Sequence, residues 1–419
     1  MLNNNNQTVD HGLSRRRFLA GALAAGATLT LADRLALAQS LAKSGLTAKD
    51  IHGIGVDPGL VRMSLNENPI GPSPRALQAI AENMFKINRY SFGSGGDIFE
   101  ALAKFDNVEL PAPPTMPPGS RGMGGGFRFR RQTPFFITPG SGALLTLIAL
   151  AYLSKGGTEV IEADMGYGDI SGDAEDYREQ GIDVNIKRVP VKNFKHDLDA
   201  MLAAITPKTS VVVITNPNNP TGTLLSVEEQ EKFVAAVPSN VLVVIDEAYI
   251  HFVKDPAYKT AAMLATKYEN VIVTRTFSKV FGMPGMRLGY GICSQSIQEK
   301  LNFYRAGSAT ALSYAAGVAS LKDRNHYDRS RAVVQNFRDR LEEEFTKMGL
   351  EYIPSESNFM MVDLGKPSMN IMREMFRRGV MVTNRRRQQL PTWIRVSSGD
   401  ERETEVFLNV LKDVLGKTS

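Results

Sequence analysis

One short segment of the chain, residues 274–290, concentrates side chains that could bind a phosphate beside a reactive amine. Hydroxyls at Thr276 and Ser278 precede Lys279, and a guanidinium follows at Arg287. Hydroxyl and guanidinium groups hold phosphate oxygens through strong hydrogen bonds, whereas a lysine amine is a nucleophile. The segment therefore indicates a phosphate site next to a nucleophilic lysine, although an ordinary solvated basic loop would have a similar composition.

Two other polar turns also come directly after apolar stretches. Asp246 directly follows the stretch 241–245. Burying a carboxylate there costs free energy unless a cation pairs with it. Its alternative role is to cap the helix that follows. The turn 216–222 follows the stretch 211–214, and its Asn, Pro and Gly residues suit either a ligand site or any strand-to-helix connection.

A fourth feature is a Gly/Ser turn that opens an apolar helix at Ser141 and Gly142. The free amides and the dipole of a helix start favour an anion. Most such helix starts bind nothing, so this feature gains weight only beside the others.

The elements that would position these residues have the pattern of an α/β protein. Unbroken apolar stretches at 160–161, 211–214, 241–245 and 271–273 alternate with helical segments, which predicts a mostly parallel sheet covered on both faces. Ligands in such sheets collect at the carboxyl ends of the strands, where all four features lie. The last hundred residues mix amphipathic helices with short strands and predict a smaller α+β domain.

Composition excludes several classes of function. The 419 residues carry a net charge of +5, too little to indicate nucleic acid or a membrane as partner. Cys293 is the single cysteine, so neither an intramolecular disulfide nor a cysteine metal cluster is expected. The five histidines show no metal-ligand spacing, and we expect no metal.

The N-terminus has the features of an export signal. Arg15, Arg16 and Arg17 precede an apolar run, and Ala36 and Ala38 form a small-residue cleavage site before residue 39. The paired arginines resemble the twin-arginine class, which implies a periplasmic location and export in the folded state. The alternative is a retained signal anchor, although the apolar run is short for a membrane span.

Taken together and in this order, the four motifs resemble the class I/II aminotransferases of pyridoxal phosphate (PLP) fold type I, in their histidinol-phosphate aminotransferase-like branch. The resemblance implies a large, mostly parallel seven-stranded sheet between helices and a smaller α+β domain. It implies that Lys279 carries the cofactor as a Schiff base and transfers protons. It also implies that Asp246 pairs with the pyridine nitrogen.

The resemblance assigns further roles within the cofactor site. Asn219 and Tyr249 would donate hydrogen bonds to the phenolic oxygen of the cofactor, with Tyr249 counted among the catalytic residues, and Tyr167 would stack on the ring. The residues that would hold the phosphate are Ser141, Gly142, Thr276, Ser278, Arg287 and, from the partner subunit, Tyr90. A homodimer follows from the role of Tyr90.

For the substrate, the resemblance matches Arg395 to the arginine that clamps the α-carboxylate. It places Asn68 in the segment that lines the site, where a helix-entry turn is the alternative. The family's usual arginine for a distal phosphate is replaced by Thr383 and Asn384. The arginine run 385–387 could substitute or be solvated.

The predicted organisation is a signal peptide at 1–38, an N-terminal segment of the small domain at 39–89, a large cofactor-binding domain at 90–300 and a small domain at 301–419. A Pro/Gly/Arg-rich insertion occupies about 106–135, and disorder or a position over the site mouth are its alternatives. A PLP-dependent lyase resembling the threonine-phosphate decarboxylases and a binding protein without activity remain alternatives to an aminotransferase.

Overall fold

The computed structural model describes residues 45–89, 96–112, 132–385 and 389–416. The fold described below is that of the compact unit that begins at Thr47. No helix of the described ranges is long and apolar enough to cross a bilayer.

Helices and strands alternate through most of the chain. The helices are α1 (Pro74–Asn83), α2 (Gly96–Asp106), α3 (Ser141–Leu153), α4 (Asp169–Glu179), α5 (Leu198–Ala203), α6 (Val227–Ala236), α7 (Ala262–Lys267), α8 (Gln295–Tyr304), α9 (Ala311–Lys322), α10 (Arg324–Lys347), α11 (Ser368–Arg377) and α12 (Glu401–Leu415). The strands are β1 (Val61–Arg62), β2 (Phe135–Thr138), β3 (Thr158–Ala163), β4 (Val184–Val189), β5 (Thr209–Thr215), β6 (Leu242–Asp246), β7 (Val271–Thr276), β8 (Gly289–Cys293), β9 (Tyr352–Ile353), β10 (Phe359–Asp363), β11 (Val380–Met381), β12 (Thr383–Arg385) and β13 (Leu390–Ser397).

The main sheet has seven strands in the order β2-β8-β7-β6-β5-β3-β4. Neighbours from β7 to β4 are parallel, whereas β8 runs antiparallel to β7 and β2. The parallel strands therefore end at one edge, and the antiparallel β8 begins there. This edge collects the turns that the sequence marks as chemically active.

The unbroken apolar strands serve two faces at once. Val212, Val243 and Val273 pack into the core on one face, while Val213 and Val244 pack into the core on the other. Successive side chains of a strand point to opposite faces, so a sheet covered by helices on both sides needs apolar residues at every position. The predicted α/β class is confirmed.

The C-terminal strands form a second, antiparallel sheet in the order β12-β13-β10-β9. The N-terminal strand β1 pairs in parallel with β11, with Val61 opposite Val380. The N-terminal segment thus joins C-terminal elements, while the exact domain boundaries stay a prediction.

A buried ion cluster fixes the end of α2 against the main sheet. Arg275, only 2% exposed, donates to Glu247 Oε2 from Nε at 2.9 Å and to Asp106 Oδ1 from Nη1 at 2.6 Å. The hydroxyl of Tyr290 donates to the other oxygen of Asp106 at 2.8 Å. Removing one member of such a cluster leaves another charge buried without its partner, which costs far more than losing an exposed ion pair.

The Asp106→Asn variant should therefore lower the free energy of unfolding by about 3 kcal/mol or more. Chemical denaturation of the wild type and the variant measures this difference. The matched control is Asp97→Asn on the exposed first turn of the same helix, for which we expect a loss of less than about 1 kcal/mol. Equal losses in the two variants would contradict a buried ion cluster.

Candidate active site

Most of the sequence-predicted cofactor residues come together at the carboxyl edge of the main sheet. Ser141 and Gly142 follow β2, Asn219 follows β5, Asp246 and Tyr249 lie at the end of β6, Ser278 and Lys279 follow β7, and Arg287 precedes β8. The parallel register of β5, β6 and β7 brings Thr215, Asp246 and Thr274 side by side. The parallel topology of the sheet by itself explains why these residues lie close together.

Lys279 extends over the Tyr249 ring. Its Nζ lies 5.5 Å from the ring centroid and 3.5 Å from the carbonyl oxygen of Leu65. In the described part of the chain no carboxylate forms an ion pair with this amine. The amine is thus in reach of the site and free of a strong counter-ion, as a nucleophilic lysine requires.

Asp246 is 3% exposed, and its Oδ1 accepts a hydrogen bond of 2.7 Å from the hydroxyl of Thr274. Burial raises the pKa of Asp246 to about 6, the Thr274 bond opposes that change, and the nearby Asp169 carboxylate adds to it. A buried carboxylate that is costly to ionise indicates a cationic partner supplied by a ligand. Asp246 and Tyr167 line the same small cavity.

Tyr167 is 46% exposed, a large fraction for an aromatic side chain. Burial of its phenol raises the pKa of Tyr167, and burial raises that of the neighbouring Asp169 to about 6. An exposed aromatic ring that lines the same cavity as Asp246 is suited to stack on a planar ligand.

The predicted phosphate residues surround the start of α3. The helix begins at Ser141, and its N-cap residue Gly140 provides no side-chain hydrogen bond. The Thr276 hydroxyl donates to Ser278 Oγ at 3.0 Å. Gly140 has a φ of 95°, and a side chain there would collide with the guanidinium of Arg287. Uncapped amides, two hydroxyls and an exposed arginine form a suitable donor set for a phosphate dianion.

A hydrogen-bonded chain connects Arg395 to the same site. Arg395 Nη1 donates to Asn219 Oδ1 at 2.7 Å, and Asn219 Nδ2 donates to the Tyr249 hydroxyl at 3.4 Å. The guanidinium also donates to the carbonyl of Ser64 at 3.0 Å and lies 5.1 Å from the centroid of the Phe359 ring. Arg395 is 7% exposed and its buried Nε has no partner in the described residues, which leaves a donor for an anionic group.

The hydrogen bonds of Asn68 favour its alternative role in the helix-entry turn over a place in the substrate site. Its Nδ2 donates to the Val280 carbonyl and to the Ser330 hydroxyl, each at 2.9 Å, and its Oδ1 accepts from Ile70. These bonds use the Asn68 amide to hold the N-terminal segment in place, which agrees with a role in the turn before the helix.

Asn66, which was not predicted from the sequence, contacts the site through Tyr249. Its Nδ2 donates to the Tyr249 hydroxyl at 2.9 Å, and Ser397 fixes both its backbone amide and its Oδ1. Its φ of 54° is left-handed, a conformation in which Asn is enriched. The tolerance of Asn for this left-handed conformation is the one sequence signal that could have pointed to Asn66.

Some predictions fall outside the described residues. These are Tyr90, Arg386, Arg387 and the arginines of the insertion at 121, 128, 130 and 131. Arg385 is described, and Thr383 donates from its hydroxyl to the Ser64 carbonyl at 2.6 Å. Thr383 therefore supports the carbonyl that also anchors Arg395.

Comparisons with known proteins identify the family of the chain. Residues 58–411 match the family model of aminotransferase class I and II. A histidinol-phosphate aminotransferase of Moorella thermoacetica is 35% identical over 85% of this chain and 86% of its own. Histidinol-phosphate aminotransferase 2 of Pseudomonas fluorescens strain Pf-5 is 34% identical over 87% of this chain and 91% of its own.

Among solved structures, histidinol-phosphate aminotransferase from Sinorhizobium meliloti in complex with pyridoxal-5'-phosphate superimposes with a TM-score of 0.72. It is 25% identical, over 85% of this chain and 91% of its own. The sequence-based predictions of PLP fold type I, of a PLP-dependent aminotransferase resembling the histidinol-phosphate enzymes, and of its cofactor are confirmed. The chain belongs to the class I and II aminotransferases.

Proposed function

We propose that this aminotransferase carries pyridoxal phosphate on Lys279 and moves an amino group between an amino acid or amino-phosphate donor and a 2-oxo acid. The observation that carries the proposal is the chain from Arg395 through Asn219 to Tyr249, with the Lys279 amine over the Tyr249 ring. These contacts connect the Arg395 guanidinium, which can bind a carboxylate, with the nucleophilic amine of Lys279 in one site.

The buried acid supports the cofactor assignment. When bound, pyridoxal phosphate supplies an electron sink for the electrons of the substrate Cα–H bond. Asp246 would hold the ring nitrogen in its protonated form. At 4 Å and an effective dielectric constant of 20, such a pair is worth about 4 kcal/mol before desolvation. This pairing would offset the burial that raises the pKa of Asp246.

Three other side chains would position the substrate and the cofactor or transfer a proton. Arg395 would bind the substrate carboxylate through two parallel hydrogen bonds, because a planar guanidinium matches a carboxylate. Lys279 would remove the proton from the substrate Cα and return it on the cofactor side. Tyr249, held by Asn66 and Asn219, would bind the phenolic oxygen of the cofactor.

The Lys279→Ala variant should lose at least about 100-fold in turnover, since positioned acid–base groups contribute that much or more. Turnover is followed with an amino donor and a 2-oxo acid, and borohydride reduction should leave cofactor mass on the Lys279 peptide only in the wild type. The control is Lys267→Ala, an exposed lysine paired with Glu231.

Full turnover by Lys279→Ala would contradict the assignment. Sustained consumption of the donor by the wild type in the absence of any 2-oxo acid would indicate that the enzyme is a lyase and not an aminotransferase.

The raised pKa of Asp246 predicts a pH-dependent stability for the cofactor-free protein. A carboxyl whose pKa rises from 3.8 to about 6 on folding opposes folding when ionised, so stability declines as pH rises through that window. The Asp246→Asn variant should gain on the order of 3 kcal/mol relative to wild type between pH 3.5 and pH 7.5.

Denaturation of the two apoproteins across this range measures the gain. Asp57→Asn, at an exposed position, is the control. If the difference in the free energy of unfolding between wild type and Asp246→Asn does not change with pH, the ionisation of a buried Asp246 is excluded.

We further propose a homodimer in which Tyr90 reaches the partner's site, and periplasmic export by the twin-arginine signal. Support for the dimer comes from exposed apolar side chains just before Tyr90, with Met84 56%, Phe85 73% and Ile87 70% exposed. Apolar patches of this kind are typical of protein interfaces. Support for export is the motif at residues 14–38.

Both proposals are tested on one preparation. Periplasmic material should begin at Gln39 and sediment as a dimer at micromolar concentration. A start before Leu37, or a protein that never leaves the cytoplasm, would contradict cleavage and export, and a monomer would contradict the interface.

A further inference from the structure

Strand β3 carries a buried glutamate on a face that is largely apolar. Glu162 is 2% exposed and lies two positions after Val160, so the two side chains point to the same face of the sheet. Val160 packs on that face in one core cluster with Leu145 of α3 and Val213 of β5. A carboxyl group in an apolar layer costs free energy unless hydrogen bonds compensate for the lost water.

The hydrogen bonds of Glu162 go to the loop that follows the strand. Its Oε1 accepts a hydrogen bond of 2.8 Å from the backbone amide of Gly168. The same oxygen lies 2.8 Å from where a Cβ atom at Gly166 would stand, so a side chain at that position would collide with it. Burial raises the pKa of Glu162, and hydrogen bonds from the Ser171 hydroxyl and the Gly168 amide oppose that change. Glu162 thus contacts the loop on both sides of Tyr167.

Tyr167 has little else to hold its backbone in place. Its side chain is 46% exposed, and both of its neighbours in the chain are glycines. Gly168 adopts a left-handed φ of 88°. Glycine has the greatest backbone freedom of all residues, so the sequence of this loop does not by itself fix the direction of the aromatic ring. The hydrogen bond between Glu162 and Gly168 supplies that restraint.

A second carboxyl group restrains the other end of the tyrosine. Asp169 is the first residue of α4, so the helix fixes its backbone. Burial raises the pKa of Asp169, and the hydrogen bond that it accepts from the Tyr167 phenol opposes that change. The backbone of Tyr167 is therefore held through Glu162, and its hydroxyl is held through Asp169.

The second oxygen of Glu162 is directed to the site and not to the fold. Oε2 is buried and has no hydrogen-bond partner in the described residues. Glu162 lines one small cavity together with Tyr167 and Asp246. Because Asp246 is the proposed partner of the cofactor ring nitrogen, this cavity adjoins the place where the ring would bind.

Glu159, on the same strand, is a structural carboxylate and shows the contrast. It is also 2% exposed. Both of its oxygens accept hydrogen bonds, Oε1 from the hydroxyls of Thr206 and Thr209 and Oε2 from the Asn185 amide. Glu162 differs in that one oxygen holds the Tyr167 loop and the other is unpaired.

We infer that Glu162 is a positioning residue for the cofactor: through the Gly168 amide it holds Tyr167 in the orientation that stacks on the pyridine ring. The inference rests on the proposed function and deepens it, because stacking requires the cofactor. The role needs an acceptor oxygen at this place and does not need a negative charge.

The test is a double-mutant cycle that is read in binding and not in activity. Pyridoxamine phosphate is titrated into the apoprotein by calorimetry, since it binds without a covalent link to Lys279. Glu162→Leu and Tyr167→Ala should each raise the dissociation constant about tenfold, which is the value of one stacked aromatic contact. The double variant should also show a rise of about tenfold, because Glu162 acts through Tyr167.

Conservative variants separate the acceptor oxygen from general packing. Glu162→Gln keeps an oxygen for the Gly168 amide, and its dissociation constant should stay within about threefold of wild type. Glu162→Asp is too short to reach that amide and should behave like Glu162→Leu, which keeps the test available if the leucine variant does not fold. The matched control is Glu159→Leu, which loses more hydrogen bonds and should leave the dissociation constant unchanged.

Hydrogen exchange of the apoprotein gives a readout without any cofactor. The peptide that contains Gly168 should exchange faster in Glu162→Leu than in wild type or Glu162→Gln, because its amide has lost the acceptor.

The outcomes distinguish this inference from the proposed function. A rise of about 100-fold in the double variant, the product of the two single effects, would show that Glu162 does not act through Tyr167 and would overturn the inference. Dissociation constants within about threefold of wild type in Glu162→Leu and Glu162→Asp would also overturn it. Failure of the wild-type apoprotein to bind either pyridoxamine phosphate or pyridoxal phosphate would overturn the proposed function instead.

Discussion

The hydrogen bond from Arg395 to Asn219 joins the antiparallel C-terminal sheet to the main sheet at the point where chemistry is proposed. Arg395 lies on β13, which is held by β10 on one side and by β12 on the other, and Asn219 follows β5 of the main sheet. A strand fixed on both sides cannot turn its arginine independently. The position of a substrate relative to Lys279 therefore depends on how the C-terminal sheet docks against the main one.

Much of this arrangement follows from local patterns in the sequence. Continuous apolar stretches predicted a sheet covered on both faces, because alternate side chains of each strand had to be buried in different cores. The carboxyl ends of parallel strands share one edge, so residues such as Asp246, Lys279 and Ser141 could be grouped before any coordinates were known. Each of these inferences needed only residues that are close in the sequence.

The features that escaped prediction depend on distant partners. Asp106 and Arg275 are separated by 169 positions, and nothing near either residue announces the pairing. The choice between Asn66 and Asn68 was decided by one left-handed backbone turn and by Ser397, more than three hundred residues away.

The amide of Asn219 touches Arg395 through its oxygen and Tyr249 through its nitrogen, so one planar group faces two sites. A carboxylate that draws Arg395 towards itself would weaken the hydrogen bond that Arg395 donates to this amide, and the change would reach the phenol through the amide nitrogen. By thermodynamic reciprocity, the state of the phenol must alter carboxylate affinity by an equal free energy. This shared amide is the structural route by which a carboxylate bound to Arg395 would affect the phenol of Tyr249.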